Sequence, residues 1–305
     1  MAFTAKDVQK LREVTGVGMM DCKKALTAND GDMEKAVEWL REKGLAASQK
    51  KASRIAAEGM AYADVFGTVG VVVEVNAETD FVGKNEKFID FVKGVAETIA
   101  KSDPKDIDAL MEAKYLDTNN TVAQQQQEMV LVIGENIKVR RFERFADGIS
   151  VPYVHAGGKI GVLVNLSVSE GLEDKVGELG KDIAMQVAAL NPTFLDKSDV
   201  DQETLDKERE VLMAQAKNDP KNANKPDNII EKMVSGRIAK YYKENCLMQQ
   251  SFVKDDSITV EQYIASVAKE LGGTITLSSA VRFEKGEGIE KKEDNFAEEI
   301  ANMVK

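Results

Sequence analysis

The run GTVGVVVEVN, residues 67–76, returns as GKIGVLVNLS at residues 158–167, an offset of 91 positions. Both copies place glycine first and fourth, then fill with Val, Ile and Leu, a composition rich in strand formers. An apolar stripe at helical spacing follows each: Phe88, Phe91, Val92, Val95 and Ile99 in the first copy, Val176, Leu179, Ile183 and Val187 in the second. A second pair of runs lies further on. GENIKV (134–139) matches GGTITL (272–277) at an offset of 138, and each leads into an Arg-Phe-Glu step, Arg141-Phe142-Glu143 and Arg282-Phe283-Glu284. A unit of strand, helix and strand therefore occurs twice. This makes the chain an α+β protein with a core of two related halves. The offset grows between the two pairs, so the second copy carries an insertion of about 47 residues.

That insertion falls at roughly 191–245 and is helical. Leu205, Leu212 and Ala216 mark one stripe, and Ile230, Met233, Val234, Ile238 and Tyr241 mark another. The turn-rich NDPKNANKPD (218–227) lies between them, so the segment reads as an inserted helical hairpin. Its leftover apolar surface suits either self-association or packing back on its own domain, and the two uses carry equal weight. Upstream, residues 1–44 read as a compact three-helix module of the ubiquitin-associated type. Thr4 and Asp7 can cap its first helix, followed by Val8, Leu11 and Val14. TGVG (15–18) breaks the chain before Met19, Cys22, Ala25 and Leu26. Asp32 caps a third helix bearing Ala36, Val37 and Leu40, with Gly44 as its stop, and LAASQKKASRIAAEG reads as a linker or loosely held helix. The expected division is 1–54 for the N-terminal module and linker, and 55–146 for the first half of the core. The second half comprises 147–190 and 246–285, the hairpin occupies 191–245, and a C-terminal module covers 286–305.

Composition narrows the function. The chain has 305 residues, 43% hydrophobic and 30% charged, with a net charge of −11, so it can bury a sizeable core but lacks the basic stripe that binds nucleic acid through phosphates. No secretion signal and no apolar run long enough to span a bilayer is present, which points to the cytoplasm. Two cysteines, Cys22 and Cys246, and a single histidine, His155, give neither a disulfide framework nor a metal cluster. HAGGKIG has the Gly-Lys pair of a phosphate loop but follows it with Ile160, and TGVGMMD lacks the third glycine of a dinucleotide loop. No catalytic residues, metal or cofactor are expected, and an enzyme is the weaker reading.

Five segments carry a resemblance: TGVGMMDCKKAL (15–26), EVNAETDFVGKN (74–85), IGENIKVRRF (133–142), HAGGKIGVLV (155–164) and VRFEKGEGIEK (281–291). In order and in motif they resemble the bacterial elongation factor Ts family, guanine-nucleotide exchange factors for elongation factor Tu. The resemblance implies a partner, elongation factor Tu, with GDP and Mg²⁺ met only through it. It also implies that the TDFV loop, Thr79, Asp80, Phe81 and Val82, is the part that disturbs the Mg²⁺ and phosphate site. Partner contacts carried over by the same resemblance are Arg12, Met19 and Met20 in the N-terminal module, and Ile133, Gly134 and His155 in the core. One departure is Ser251, where many members of the family carry proline. The rival reading is a non-exchanging, protein-binding adaptor.

Overall fold

The two copies of the valine-rich run become the middle strands of two separate sheets. The computed structural model describes residues 3–222 and 225–290. Three helices come first: α1 (Ala5–Thr15), α2 (Met19–Ala28) and α3 (Met33–Lys51). The first half of the core follows as β1 (Glu58–Phe66), β2 (Val69–Ala77), a single turn α4 (Asp80–Gly83), α5 (Glu86–Ser102), α6 (Ile107–Glu112), α7 (Val122–Ile133) and β3 (Lys138–Phe145). The second half begins with β4 (Ile149–His155), β5 (Ile160–Val168) and α8 (Gly177–Leu190). The inserted pair α9 (Gln202–Asn218) and α10 (Asp227–Asn245) interrupts it before β6 (Ser251–Phe252), β7 (Asp255–Thr259), α11 (Val260–Leu271) and β8 (Ile275–Glu284). This is the α+β arrangement expected: three N-terminal helices, two related halves and a helical insertion.

The repeat is exact in topology. One sheet has the order β1-β2-β3 and the other β4-β5-β8, both antiparallel, with β2 and β5 central. Each carries a bulge at the matching place, Glu74/Val75 in one and Asn165/Leu166 in the other. The helix before the last strand is also built alike. Thr121 and Gln124 close a capping box on α7 and Gly134 ends it in the left-handed region, as Thr259, Gln262 and Gly272 do for α11.

Period-two alternation sends each central strand into two cores. Val71, Val73, Val75 and Ala77 of β2 meet Phe88, Phe91, Val92, Val95 and Ile99 of α5, while Val72 faces the other sheet. On β5, Val162, Val164 and Leu166 meet Val176, Leu179, Ile183 and Val187, while Leu163 faces back. The two sheets pack through small residues, Ala61 and Ala63 against Leu163 and Phe283, giving four layers: helix, sheet, sheet, helix. A buried carboxylate, Glu74, sits at this seam. It accepts from Arg140, from Arg141 and from the Gly286 amide at 2.8 Å.

Two local expectations fail. Gly44 does not stop α3; it is buried inside a helix that runs on to Lys51, because a Cβ there would stand 3.3 Å from the Gln127 carbonyl oxygen of α7. Close approach of two helices, not a chain reversal, is what this glycine serves. Residues 45–51 are thus the last turns of α3, lying on α7, and Leu131 and Val132 of α7 join the core of the N-terminal helices. Val14, expected inward, is 68% exposed. Of the expected C-terminal module 286–305, residues 291–305 lie outside the described residues.

The hairpin closes on its own small core of Ala216, Ile230, Val234 and Ile238, with Leu212, Met213 and Tyr242 beside it. Its root is narrow: the Thr193 and Phe194 amides both donate to the Asn245 carbonyl, at 2.9 and 3.0 Å.

Candidate functional site

Between β2 and α5 the chain makes one helical turn and lifts a phenylalanine into water. Phe81 on this turn is 79% exposed, the most exposed large apolar side chain among the described residues. It is therefore no part of the α5 core stripe that begins at Phe88. Its neighbour Val82 points the other way, buried with Met60 and Phe88, so one residue anchors the turn while the next projects. Gly83 lets the turn lie close: a Cβ there would stand 2.8 Å from the Gly59 carbonyl oxygen of β1. Asp80 is exposed and pairs with Lys84 at 3.4 Å, an i,i+4 contact in solvent.

Thr79 precedes the turn, but its hydroxyl does not cap it. It donates instead to Glu135 at 2.7 Å, across the sheet end, while the Glu78 and Thr79 amides donate to the same carboxylate at 3.1 and 3.0 Å. Glu78 returns the favour, accepting from the Asn136 amide at 2.6 Å. The end of α3 closes the group. Lys51 donates to the Gly134 carbonyl, and the Asn136 side chain donates to the Arg54 carbonyl at 2.8 Å. Burial, then the nearby Arg54, hold the Lys51 ammonium below its ordinary pKa.

The other expected residues group around this turn in two directions. Phe81, Val82, Asn85, Lys87, Val132 and Ile133 line a shallow depression of about 330 Å³. Lys87 and Val132 also line a second, of about 460 Å³, with Val14, Thr15 and Gly16, and the Lys87 ammonium donates to the Gly16 carbonyl at 3.3 Å. One surface therefore runs from Phe81 past Ile133 to the end of α1. Arg12 is exposed on α1, and Met19 and Met20 are 51% and 64% exposed at the start of α2. Unbranched methionines in water at a helix start suit an adaptable apolar contact. Gly134 is exposed in the left-handed region at the end of α7. His155 is exposed at the end of β4, just before the turn, its Nδ1 3.0 Å from the Tyr153 hydroxyl. Its turn reaches the same strand start as the Phe81 turn: Ala61 of β1 donates to the Gly158 carbonyl at 2.8 Å, two residues from Gly59.

Sequence reasoning missed Val14, Lys87 and Glu135. For Glu135 a signal was present: a carboxylate directly after the C-cap glycine of a helix sits at the end where the helix dipole disfavours negative charge. Both cysteines are buried, and burial raises their thiols, Cys246 to about 11. Among the described residues no helix is long and apolar enough to cross a membrane.

The family model described as Elongation factor TS matches residues 78–287, and the model for the N-terminal region of mitochondrial elongation factor Ts matches residues 1–49. The chain is 54% identical to Elongation factor Ts of Clostridium novyi over 99% of its length and 98% of that protein's. It is 52% identical to that of Clostridium perfringens, with 99% of each covered, and 47% identical to that of Syntrophotalea carbinolica, with both covered in full.

Proposed function

Since the chain belongs to the elongation factor Ts family of translation elongation factors, we propose that it releases GDP from elongation factor Tu, with the Phe81 turn as the part that works on the partner. The observation that carries this reading is an apolar ring 79% exposed on a turn whose base is fixed by buried Val82 and by Glu135. An exposed, anchored phenylalanine suits entry into an apolar cleft of another protein. Burying it yields about 1.5–3 kcal/mol, a factor of roughly 10 to 150 in an equilibrium. If that energy is available only when the partner's Mg²⁺ and phosphate supports have moved, binding and GDP oppose each other reciprocally. No bond is made or broken, and GDP and Mg²⁺ are met only through the partner.

One Phe ring is too small to account for full exchange, so the remaining contacts matter. Arg12, Met19 and Met20 would hold the partner from the N-terminal helices. Ile133, Gly134 and His155 would hold it beside Thr79, Asp80 and Phe81, with Val82 as the internal anchor. The hairpin is a separate proposal: its exposed faces, including Val211 at 51% and Ile229 at 38%, suit self-association into a homodimer.

The test mixes GDP-loaded elongation factor Tu, carrying a fluorescent GDP, with substoichiometric amounts of this protein. Multiple turnovers of accelerated release are expected. Tight binding without acceleration would replace the exchange reading by that of an adaptor.

A further inference from the structure

We propose that Glu135 is the positioning residue that props Phe81 outward, a strut without which the turn has no fixed working position. The proposal rests on the reading of Phe81 given above and deepens it. Three donors converge on this one carboxylate, the Glu78 and Thr79 amides and the Thr79 hydroxyl, at 3.1, 3.0 and 2.7 Å. Hydrogen bonds to an ionised acceptor are the stronger kind, and three of them fix both ends of the peptide that enters α4. The arrangement is reciprocal, since the Glu78 carboxylate accepts from the Asn136 amide next to Glu135. Two strand ends that share no ladder at this point are thus tied by a pair of carboxylates. A carboxylate after a helix C-terminus is electrostatically disfavoured; the Lys51 ammonium on the Gly134 carbonyl offsets that locally.

The second half of the core is the internal control. By the repeat offsets, Glu135 corresponds to Gly273 and Glu78 to Ser169. There the two segments meet without a spacer: the Ser169 amide donates to the Thr274 carbonyl and the Thr274 amide to Ser169 Oγ, both at 3.0 Å. A Cβ on Gly273 would run into Ser169 Oγ and stand 2.7 Å from Leu172 Cδ1, so no side chain fits between them. The turn lies down and Leu172, the counterpart of Phe81, is 5% exposed in the core. Where a glutamate side chain stands between the segments, the turn is held off and the matching residue is in solvent. One frame gives two outcomes, and the strut is what differs at the contact.

The test uses the full chain with Glu135→Ala, Glu135→Gln, Phe81→Ala and the Glu135→Ala/Phe81→Ala double variant. In the free protein, amide hydrogen exchange at Glu78 and Thr79 is expected to speed up in Glu135→Ala by roughly tenfold or more. Saturated GDP release from elongation factor Tu is expected to fall by roughly 10- to 100-fold, with the half-saturating concentration moved less than about threefold. The double variant should be no slower than Phe81→Ala, because a strut acts only through what it holds. Gln keeps an oxygen for the amides and a donor for the Thr79 hydroxyl, so Glu135→Gln should stay within about threefold of the parent. Its melting behaviour also guards against a folding defect in the alanine variant. Parental release by Glu135→Ala, or defects that add in the double variant, overturns the proposal. A Phe81→Ala variant that releases GDP like the parent instead sinks the reading of Phe81 itself, and the strut loses its function with it, whatever the amides show.

Discussion

After β2 the chain carries Phe81 into solvent, whereas after β5 the matching turn lays Leu172 against Val176 and the α8 stripe. The helices that close the two halves differ in the same sense. On α7 the outer face is covered by α3, with Arg41 3.6 Å from Glu128 and its guanidinium donating to Asn120 at 2.9 Å. On α11 the position matching Glu128 is Ser266, exposed to water. The first half has thus turned its loops and helix ends into a surface, continuous with the N-terminal helices, while the second has kept them as packing and placed its extra residues in a hairpin. In a protein built from a repeat, the places where the copies disagree are the places to look for function.

The largest effect that would break this comparison concerns Leu172. If it is core, Leu172→Ala should cost about 2–5 kcal/mol of folding stability in a denaturant melt. Phe81→Ala, its counterpart, should melt within about 0.5 kcal/mol of the parent. Equal losses in both would mean that the two turns are not the opposites described.

The next effect is kinetic. Phe81→Ala should slow saturated GDP release by a factor of roughly 10 to 150 while still binding elongation factor Tu. Loss of binding with release unchanged at saturation would make Phe81 a grip, not a lever.

A smaller effect is expected from the insertion. The Thr193 and Asn245 backbones already meet at the hairpin root. Replacing residues 197–243 by a short Gly/Ser link should leave a folded protein whose release rate stays within about threefold of the parent. Sedimentation should then show less self-association. An insoluble product would make α9 and α10 part of the core.

The smallest effect sharpens the α7 side. Burial, opposed by Asn120 and Arg41, holds the Glu128 carboxyl above its ordinary 4.5. A raised acid pKa means that the folded state binds the proton more tightly, so stability should rise as pH falls from neutral toward 4.5. Glu128→Gln should flatten that rise and change stability at neutral pH by no more than about 0.5 kcal/mol, given its partial exposure. An unchanged pH profile would assign the slope to other groups.

Much of this was readable in the chain because it is local or periodic. The two valine-rich runs and the stripes of α5 and α8 each declare themselves within a dozen residues, whereas the Thr-x-x-Gln boxes of α7 and α11 came from the structure. What was not readable depends on partners far along the chain. Gly44 looks like a helix stop until Gln127 arrives beside it. The Thr79 hydroxyl is drawn to Glu135, 56 positions away. Val14 completes a helical stripe on paper, yet the third position of a short helix overshoots the small core formed by Val8, Leu11 and Leu26. The family resemblance supplied the candidate residues, whereas the side that each faces came from the structure.

The order in which the sheets close has a consequence for the chain as it is being made. β2 waits about 60 residues for β3, from Ala77 to Lys138, whereas β5 waits about 107 for β8, from Val168 to Ile275. At typical elongation rates of roughly 5–20 residues per second, the far edge of β5 stays open for some 5–20 seconds, about twice as long as that of β2. An apolar strand with an unpaired edge is a template for pairing with a neighbouring chain. The inserted hairpin raises the closure entropy by well under 1 kcal/mol, since that entropy grows only logarithmically with loop length. Its larger effect is on timing: nascent chains are most vulnerable to misassembly while the second half is half-built.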